Sequence, residues 1–316
     1  MDIHTFPYMG QLLNFSGKKD TNIGQISKEK MNLINLLPKI KSLKGEVLLI
    51  NISYNIIQEK DILNTVVNEI IVLKCMGVSV LIVVDADDKI YEYFQNKEKD
   101  NPFNENDCAI TNGINDVIEV LIKHEVAKNV NDAVLSNNNM SMIISGVDGN
   151  IILPDDVFNR NISIFNQQSY TAISGLKKKT KKYSVDILND ILSTDILPIL
   201  IPTCKDAYGN TYVMNSGYFT SKLANYLNAF KIITLYKDNS QIPTSCIYGV
   251  ERFVKIIKSG SFNTKTMKMM KYNIDGIKSG VQIAQIIDVE NASMIEELCN
   301  ETQKSLTLYD DTLQSI

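Results

Sequence analysis

Three carboxylates crowd the end of one apolar run: Val78–Val84 is followed by Asp85-Ala86-Asp87-Asp88. Carboxylates this close have two uses. They can share a cation that then reaches phosphate oxygens, or they can form a solvated acidic turn. Without a cation they repel a polyanion, by about 1 kcal/mol per charge pair at ~4 Å even in bulk water. A second polar group, Asn51-Ile52-Ser53-Tyr54, closes the apolar run that begins at Glu46. A third is Asn215-Ser216-Gly217. Asn215 suits either a helix cap or a ligand contact.

Such groups act together only if strand ends lie side by side. Residues 195–236 read as strand, turn, strand, helix, strand. Ile196–Ile201 is a short apolar run, interrupted by Pro198 and closed by Pro202, as in a strand buried on both faces. Tyr218, Phe219, Leu223, Tyr226 and Leu227 share one helical stripe, and Ile232–Tyr236 is again strand-like. Strand, helix and strand at this spacing make a crossover unit of a parallel α/β sheet. Upstream, Ser27 caps a helix expected to run to about Leu43, with Met31, Ile34, Leu37 and Ile40 on one stripe. Strands are expected at Glu46–Ile52, Val78–Val84, Met140–Ile144 and Ile151–Leu153. Helices are expected at Ile57–Met76, Asn115–His124, Val130–Leu135 and Val185–Leu192. Further on, Tyr248–Ser259, Thr266–Lys278 and Met294–Cys299 read as helices, and Gln282–Asp288 and Ser305–Tyr309 as strands.

Composition narrows the classes. The chain has 316 residues, a net charge of −4 and no basic footprint for nucleic acid. Its longest apolar runs are far too short to span a bilayer. Met1-Asp2-Ile3-His4 lacks the basic start and apolar stretch of a secretory signal, so a cytoplasmic protein is expected. Cys75, Cys108, Cys204, Cys246 and Cys299 are scattered and odd in number, as free thiols in a reducing compartment would be. With His4 and His124 the only histidines, no metal site is assigned. Glycine supplies 15 of 316 residues, below the usual ~7% and few for a fold that cradles phosphate.

Three phrases carry a resemblance. They are Leu197-Pro198-Ile199-Leu200-Ile201-Pro202, then Gly209-Asn210-Thr211-Tyr212-Val213-Met214-Asn215-Ser216-Gly217, then Lys231-Ile232-Ile233-Thr234-Leu235. Together they resemble the nucleotide-side core of the acetylglutamate kinases, in the amino acid kinase superfamily. Leu36-Leu37-Pro38, Lys44-Gly45 and the run from Gly280 to Asp288 are similar to the family's two ends. The resemblance covers about residues 33–310. It implies an α/β fold, a three-layer αβα sandwich with a mostly parallel central sheet (amino acid kinase or carbamate kinase-like). It further implies an N-terminal extension and helix over 1–45 that serves assembly, an N-lobe over 46–193 on the amino-acid side and a C-lobe over 194–316 on the nucleotide side.

The chemical positions depart from the family. Its first strand ends Lys-x-Gly-Gly, where the lysine stabilises charge on the transferring phosphoryl group and the glycines let backbone N–H groups approach phosphate. Here Asn51 replaces the lysine, and Ser53 and Tyr54 the glycines. The family's second strand ends in a glycine cradle, which Asp85, Asp87 and Asp88 replace. Ala109 falls near the arginine that would grip an amino-acid carboxylate. Asn215 is kept, the family's organising aspartate falls on Gly217, and its last lysine falls near Met269. The resemblance therefore implies a catalytically inactive relative that binds a small molecule, such as an amino acid, around Asn215, Ser53, Asp85, Asp87 and Ala109. It would form homo-oligomers or pair with a related kinase subunit, and no cofactor is assigned to it. The alternative is an active kinase of arginine biosynthesis, using ATP and Mg²⁺ on the carboxylate of N-acetylglutamate or a related acylated amino acid. That enzyme would need Lys222, Lys268 or Lys271 in the cleft. A third reading is the kinase-like half of an acetylglutamate synthase, against which stands the expectation that no acetyltransferase domain follows the last strand.

Overall fold

The computed structural model describes residues 37–95, 108–109, 115–148, 186–205, 211–237, 242–243, 245–260, 262–300 and 304–311. The extension before residue 37, the strand expected at Ile151–Leu153 and the turn at Asp206–Asn210 lie outside these residues.

The first strand, β1 (Val47–Ile52), is aliphatic except for Asn51 and is buried along both faces after its first residue. Such a strand belongs in the middle of a covered parallel sheet. There β1 pairs in parallel with β2 (Ser79–Val84) on one side and β8 (Lys231–Tyr236) on the other. Outside β2 lie β5 (Leu197–Ile201) and β4 (Ser141–Ser145), both parallel. Outside β8 lie β10 (Ile283–Asp288), β11 (Leu306–Tyr309) and β9 (Cys246–Gly249), with β11 antiparallel to β10. The order of this eight-stranded sheet is β4-β5-β2-β1-β8-β10-β11-β9. A small antiparallel sheet of β3 (Cys108–Ala109), β7 (Thr211–Met214) and β6 (Thr203–Lys205) stands beside it.

Helices cover both faces. Leu48, Ile50 and Ile52 join a core half with α2 (Lys60–Cys75), α5 (Lys128–Ser136) and α10 (Met294–Asn300). Leu49 points the other way, into a half built with α6 (Asp186–Leu192), α7 (Ser216–Tyr226), α8 (Val250–Ser259) and α9 (Thr264–Lys278). This is the three-layer αβα sandwich. Strand alternation puts Asn51 on the Leu49 face, toward α7 and α9.

Four helices stop by one device. α2, α5, α7 and α9 each end in a left-handed residue: Gly77, Asn138, Asn228 and Gly280. The next amide bonds back into the last turn: Val78 N to Leu73 O (3.1 Å), Asn139 N to Val134 O (3.3 Å), Ala229 N to Ala224 O (2.8 Å) and Val281 N to Gly276 O (3.2 Å). Each cap feeds directly into a strand of the eight-stranded sheet. The opposite edge of the sheet, where β1 and β2 run out into α1 (Tyr54–Gln58) and α3 (Asp87–Gln95), is thereby left to the polar strand ends.

Three element bounds differ from expectation. The helix expected over Ile57–Met76 breaks at Glu59, whose backbone is extended, into α1 and α2. The helices expected at Asn115–His124 and Val130–Leu135 are continuous: α4 (Asn115–Leu121) passes through a wide π turn, Ile122–Ala127, into α5. The helix expected from Tyr248 begins at Val250, because Cys246–Gly249 pairs with β11. Among the described residues, no helix is long and apolar enough to cross a membrane. Cys75, Cys204 and Cys246 form no disulfide among the described residues.

Candidate functional site

At the end of β2 the ladder runs one residue further, with Asp85 N donating to Ile52 O (2.9 Å). Asp85 Oδ1 then accepts the amide of Asp87 (2.9 Å), a side-chain turn that opens α3. Asp87 and Asp88 fall in the first turn of α3, where negative charge suits the helix dipole. Asn215 is the N-cap of α7, its Oδ1 accepting from Tyr218 N (3.1 Å). Its other end reaches to α3, where Asn215 Nδ2 donates to Asp87 Oδ2 and Ser216 N donates to Asp87 Oδ1 (3.1 Å). Asp88 turns away to Lys265 of α9 (2.5 Å), a largely exposed pair worth under about 1 kcal/mol. Asp85 and Asp87 are half-buried. Burial pushes both carboxyls above the usual carboxylate range, and the neighbouring Asp85 charge adds to this at Asp87. Each of the three carboxylates thus has its own protein partner. Among the described residues, no three acidic, histidine or cysteine side chains are grouped to hold a metal ion.

Behind this turn lies a neutral polar layer. Asn51 is 4% exposed and donates through Nδ2 to Thr220 Oγ1 (3.1 Å). The Thr220 hydroxyl in turn donates to Ser216 O (2.7 Å) in the first turn of α7. On β8, in register with Asn51, Thr234 hydrogen-bonds Asn273 of α9. Gly217 lies against the ring of Tyr272. A Cβ built at Gly217 would stand 2.6 Å from Tyr272 Cδ2 and 3.2 Å from Cγ. That ring is 3% exposed and meets Tyr218 edge to face, centroids 6.2 Å apart.

No family model matches the chain. It is similar to the acetylglutamate kinase of Hydrogenovibrio crunogenus, 21% identical over 279 residues that cover 85% of this chain and 92% of that one. The acetylglutamate kinase of Saccharophagus degradans is 22% identical over 272 residues, covering 84% and 90%. Among solved structures, N-acetylglutamate synthase from Neisseria gonorrhoeae, complexed with coenzyme A and N-acetyl-glutamate, matches with a TM-score of 0.70 at 14% identity. The match covers 89% of this chain but 63% of the synthase, so this chain spans less than two thirds of that protein's length. Carbamate kinase from Giardia lamblia bound to AMP-PNP matches with a TM-score of 0.54 at 12% identity, covering 84% and 99%. The chain is thus similar to acetylglutamate kinases in sequence and shares the fold of these solved structures.

On that fold the expected site residues are partly brought together. Asp85, Asp87 and Asn215 form one cluster. Ser53 begins the β1–α1 turn, its Oγ buried and without a hydrogen-bond partner among the described residues. Ala109 sits in β3 opposite Val213 of β7, two residues before Asn215. Met269 is a packing residue whose carbonyl accepts from Asn273 Nδ2 (2.9 Å). Of the lysines, Lys268 lies close enough for its charge to act on Asp87. Lys222 lies over the Tyr218 ring and Lys271 over the Tyr272 ring, 5.5 and 5.9 Å from the centroids. Residues 51–54 and 85–88 at these strand ends include no glycine and place carboxylates beside α7, which does not fit a triphosphate. Thr220, Tyr272, Asn273 and Lys265 complete the site and carry no signal in the sequence, since each is defined by a partner far along the chain.

Proposed function

We propose that this acetylglutamate kinase-like protein does not transfer phosphoryl groups. It works by binding a small molecule, an amino acid foremost, or by pairing with a second copy or a related kinase subunit in the cytoplasm. Residues 1–45 serve assembly, 46–193 form the ligand-side lobe, and 194–316 form the lobe that carries nucleotide in kinases of this fold. The neutral layer of Asn51, Thr220, Thr234 and Asn273 is the observation that supports this reading. Phosphoryl transfer rests on positioning and on charge aimed at the transferring group. Where that charge is expected, these side chains satisfy one another by hydrogen bonds.

The rival reading, a kinase using ATP and Mg²⁺ on an acylated amino acid, draws on Lys268, whose positive charge acts on Asp87. Thermal unfolding with and without millimolar Mg-ATP, in parallel with arginine and with acetylglutamate, separates the two. A ligand at about 100 times its Kd stabilises by about 2.7 kcal/mol, a readily visible melting shift. The expected result is no shift with Mg-ATP and a shift with an amino acid ligand. A shift with Mg-ATP would overturn the proposal and make the kinase the reading to pursue. Silence with all three would leave subunit pairing as the function.

A further inference from the structure

Asp87 joins two elements that the chain keeps 128 residues apart. One oxygen takes the Asn215 amide and the other takes the Ser216 backbone N–H, so the start of α3 is tied to the start of α7 across the strand ends. Both partners are donors. A carboxylate can accept from both with full charge, whereas a carboxylic acid must turn a hydroxyl toward one of them, losing that contact, and holds the other without the charge that strengthens it. The surroundings favour the proton. From β2 comes Asp85, from α3 itself Asp88, and from α9 the opposing Lys265 and Lys268, while α7 contributes Asn215 and Ser216, both neutral. Two donors ask for charge where burial and two like charges resist it.

We propose that Asp87 is the tongue of a proton-operated clasp, which when ionised locks α3 to the N-terminus of α7 across the strand ends and when protonated releases it. The device stands whether the protein is a silent or an active kinase, because it sets how readily the strand ends open to any ligand. Its pH signature has a defined sign. Burial, then the Asp85 charge, hold the Asp87 carboxyl well above its ordinary value. The folded chain therefore keeps that proton more tightly than the unfolded chain. By itself Asp87 makes the fold more stable as pH falls from its folded value toward the ordinary carboxylate value. Opening of the clasp in that window is thus distinct from acid unfolding.

The test is amide hydrogen exchange on the full chain, comparing Ser216 with Phe219, whose N–H bonds to Asn215 O (2.9 Å) and needs no Asp87. A carboxyl-carbon NMR titration of Asp87 runs alongside. Ser216 protection, corrected for intrinsic exchange, is expected to fall roughly tenfold or more across the Asp87 titration, the weight of one charge-assisted hydrogen bond. Phe219 should hold steady, and Asp87→Asn should leave Ser216 weakly protected at every pH. Constant Ser216 protection through the Asp87 titration would overturn the clasp. So would Ser216 and Phe219 falling together, or a wild-type pH profile in Asp87→Asn. Should Asp87→Asn fail to fold, the wild-type pair of amides decides alone.

Discussion

Gly217→Ala lowers the stability of this protein by about 1–3 kcal/mol, the usual cost of overpacking, and Gly217→Asp lowers it further. The sign is opposite to the ordinary one. Glycine inside a helix is normally worse than alanine by roughly 0.5–1 kcal/mol, and Gly217 is the second residue of α7. Here the added Cβ meets the Tyr272 ring at 2.6 Å. That ring is buried and braced edge to face by Tyr218, so it has no open space to swing into. Aspartate brings a further burden, a charge on the buried side of the helix. The dipole at the start of α7 returns about 0.3–1 kcal/mol, too little to offset the clash. Urea unfolding of wild type and both variants measures the loss. Trimming the ring in a Gly217→Ala/Tyr272→Ala pair should recover part of it, as coupling between contacting residues requires. If Gly217→Ala proved as stable as wild type, the ring would have to vacate this position readily, and the place of the kinases' aspartate would be open to a ligand after all.

How much of this could be read in the chain follows from the range of the interactions. The strands of the sheet centre are legible because each is a short aliphatic run that stays buried on both faces, β1 and β2 most clearly. The order of strand and helix then leads to the layered fold. Asn51 and Asp85 are expected at strand ends, and they stand at the ends of β1 and β2. What was not legible is who meets whom. Asn51 finds Thr220 at 169 residues' separation, and Asp87 finds Ser216 at 129. Neither pairing leaves a local periodicity. The Asp85–Asp88 group reads as a cation site or a solvated turn in sequence, and in the fold its members divide between their own loop, α7 and α9. β9 was missed for a related reason. Four residues at the far edge of the sheet are strand only because β11 lies beside them, and the helix periodicity that follows in α8 absorbs them when they are read alone.

Asn51→Lys, which installs the residue expected from the acetylglutamate kinase resemblance, is expected to destabilise the fold by about 3–5 kcal/mol near neutral pH, the penalty of an uncompensated buried charge. Asn51 is 4% exposed, and the described groups beside it, Thr220, Thr234 and Asn273, are neutral and already hydrogen-bonded. The acids that could pair with an ammonium are committed: Asp87 to α7, and Asp88 to Lys265. Asn51→Met serves as the control for bulk, since it removes the contact to Thr220 but adds no charge. Its cost should be about 0.5–1.5 kcal/mol, one hydrogen bond's net worth, because the Thr220 hydroxyl still has Ser216 O as acceptor. The two variants also differ in pH dependence. A lysine buried without a counter-charge titrates well below its ordinary ~10.4. The unfolded chain then binds the proton that the folded chain refuses, so the stability of Asn51→Lys rises with pH up to that ordinary value. Asn51→Met should show no such gain over wild type. Urea midpoints near neutral pH and again at about pH 10 read both effects. Equal stability of the two variants at neutral pH would mean that an acid swings in to meet the new lysine. An ion pair would then be available at the end of β1, and the neutral layer would be a replaceable filling that no longer supports the proposed inactivity.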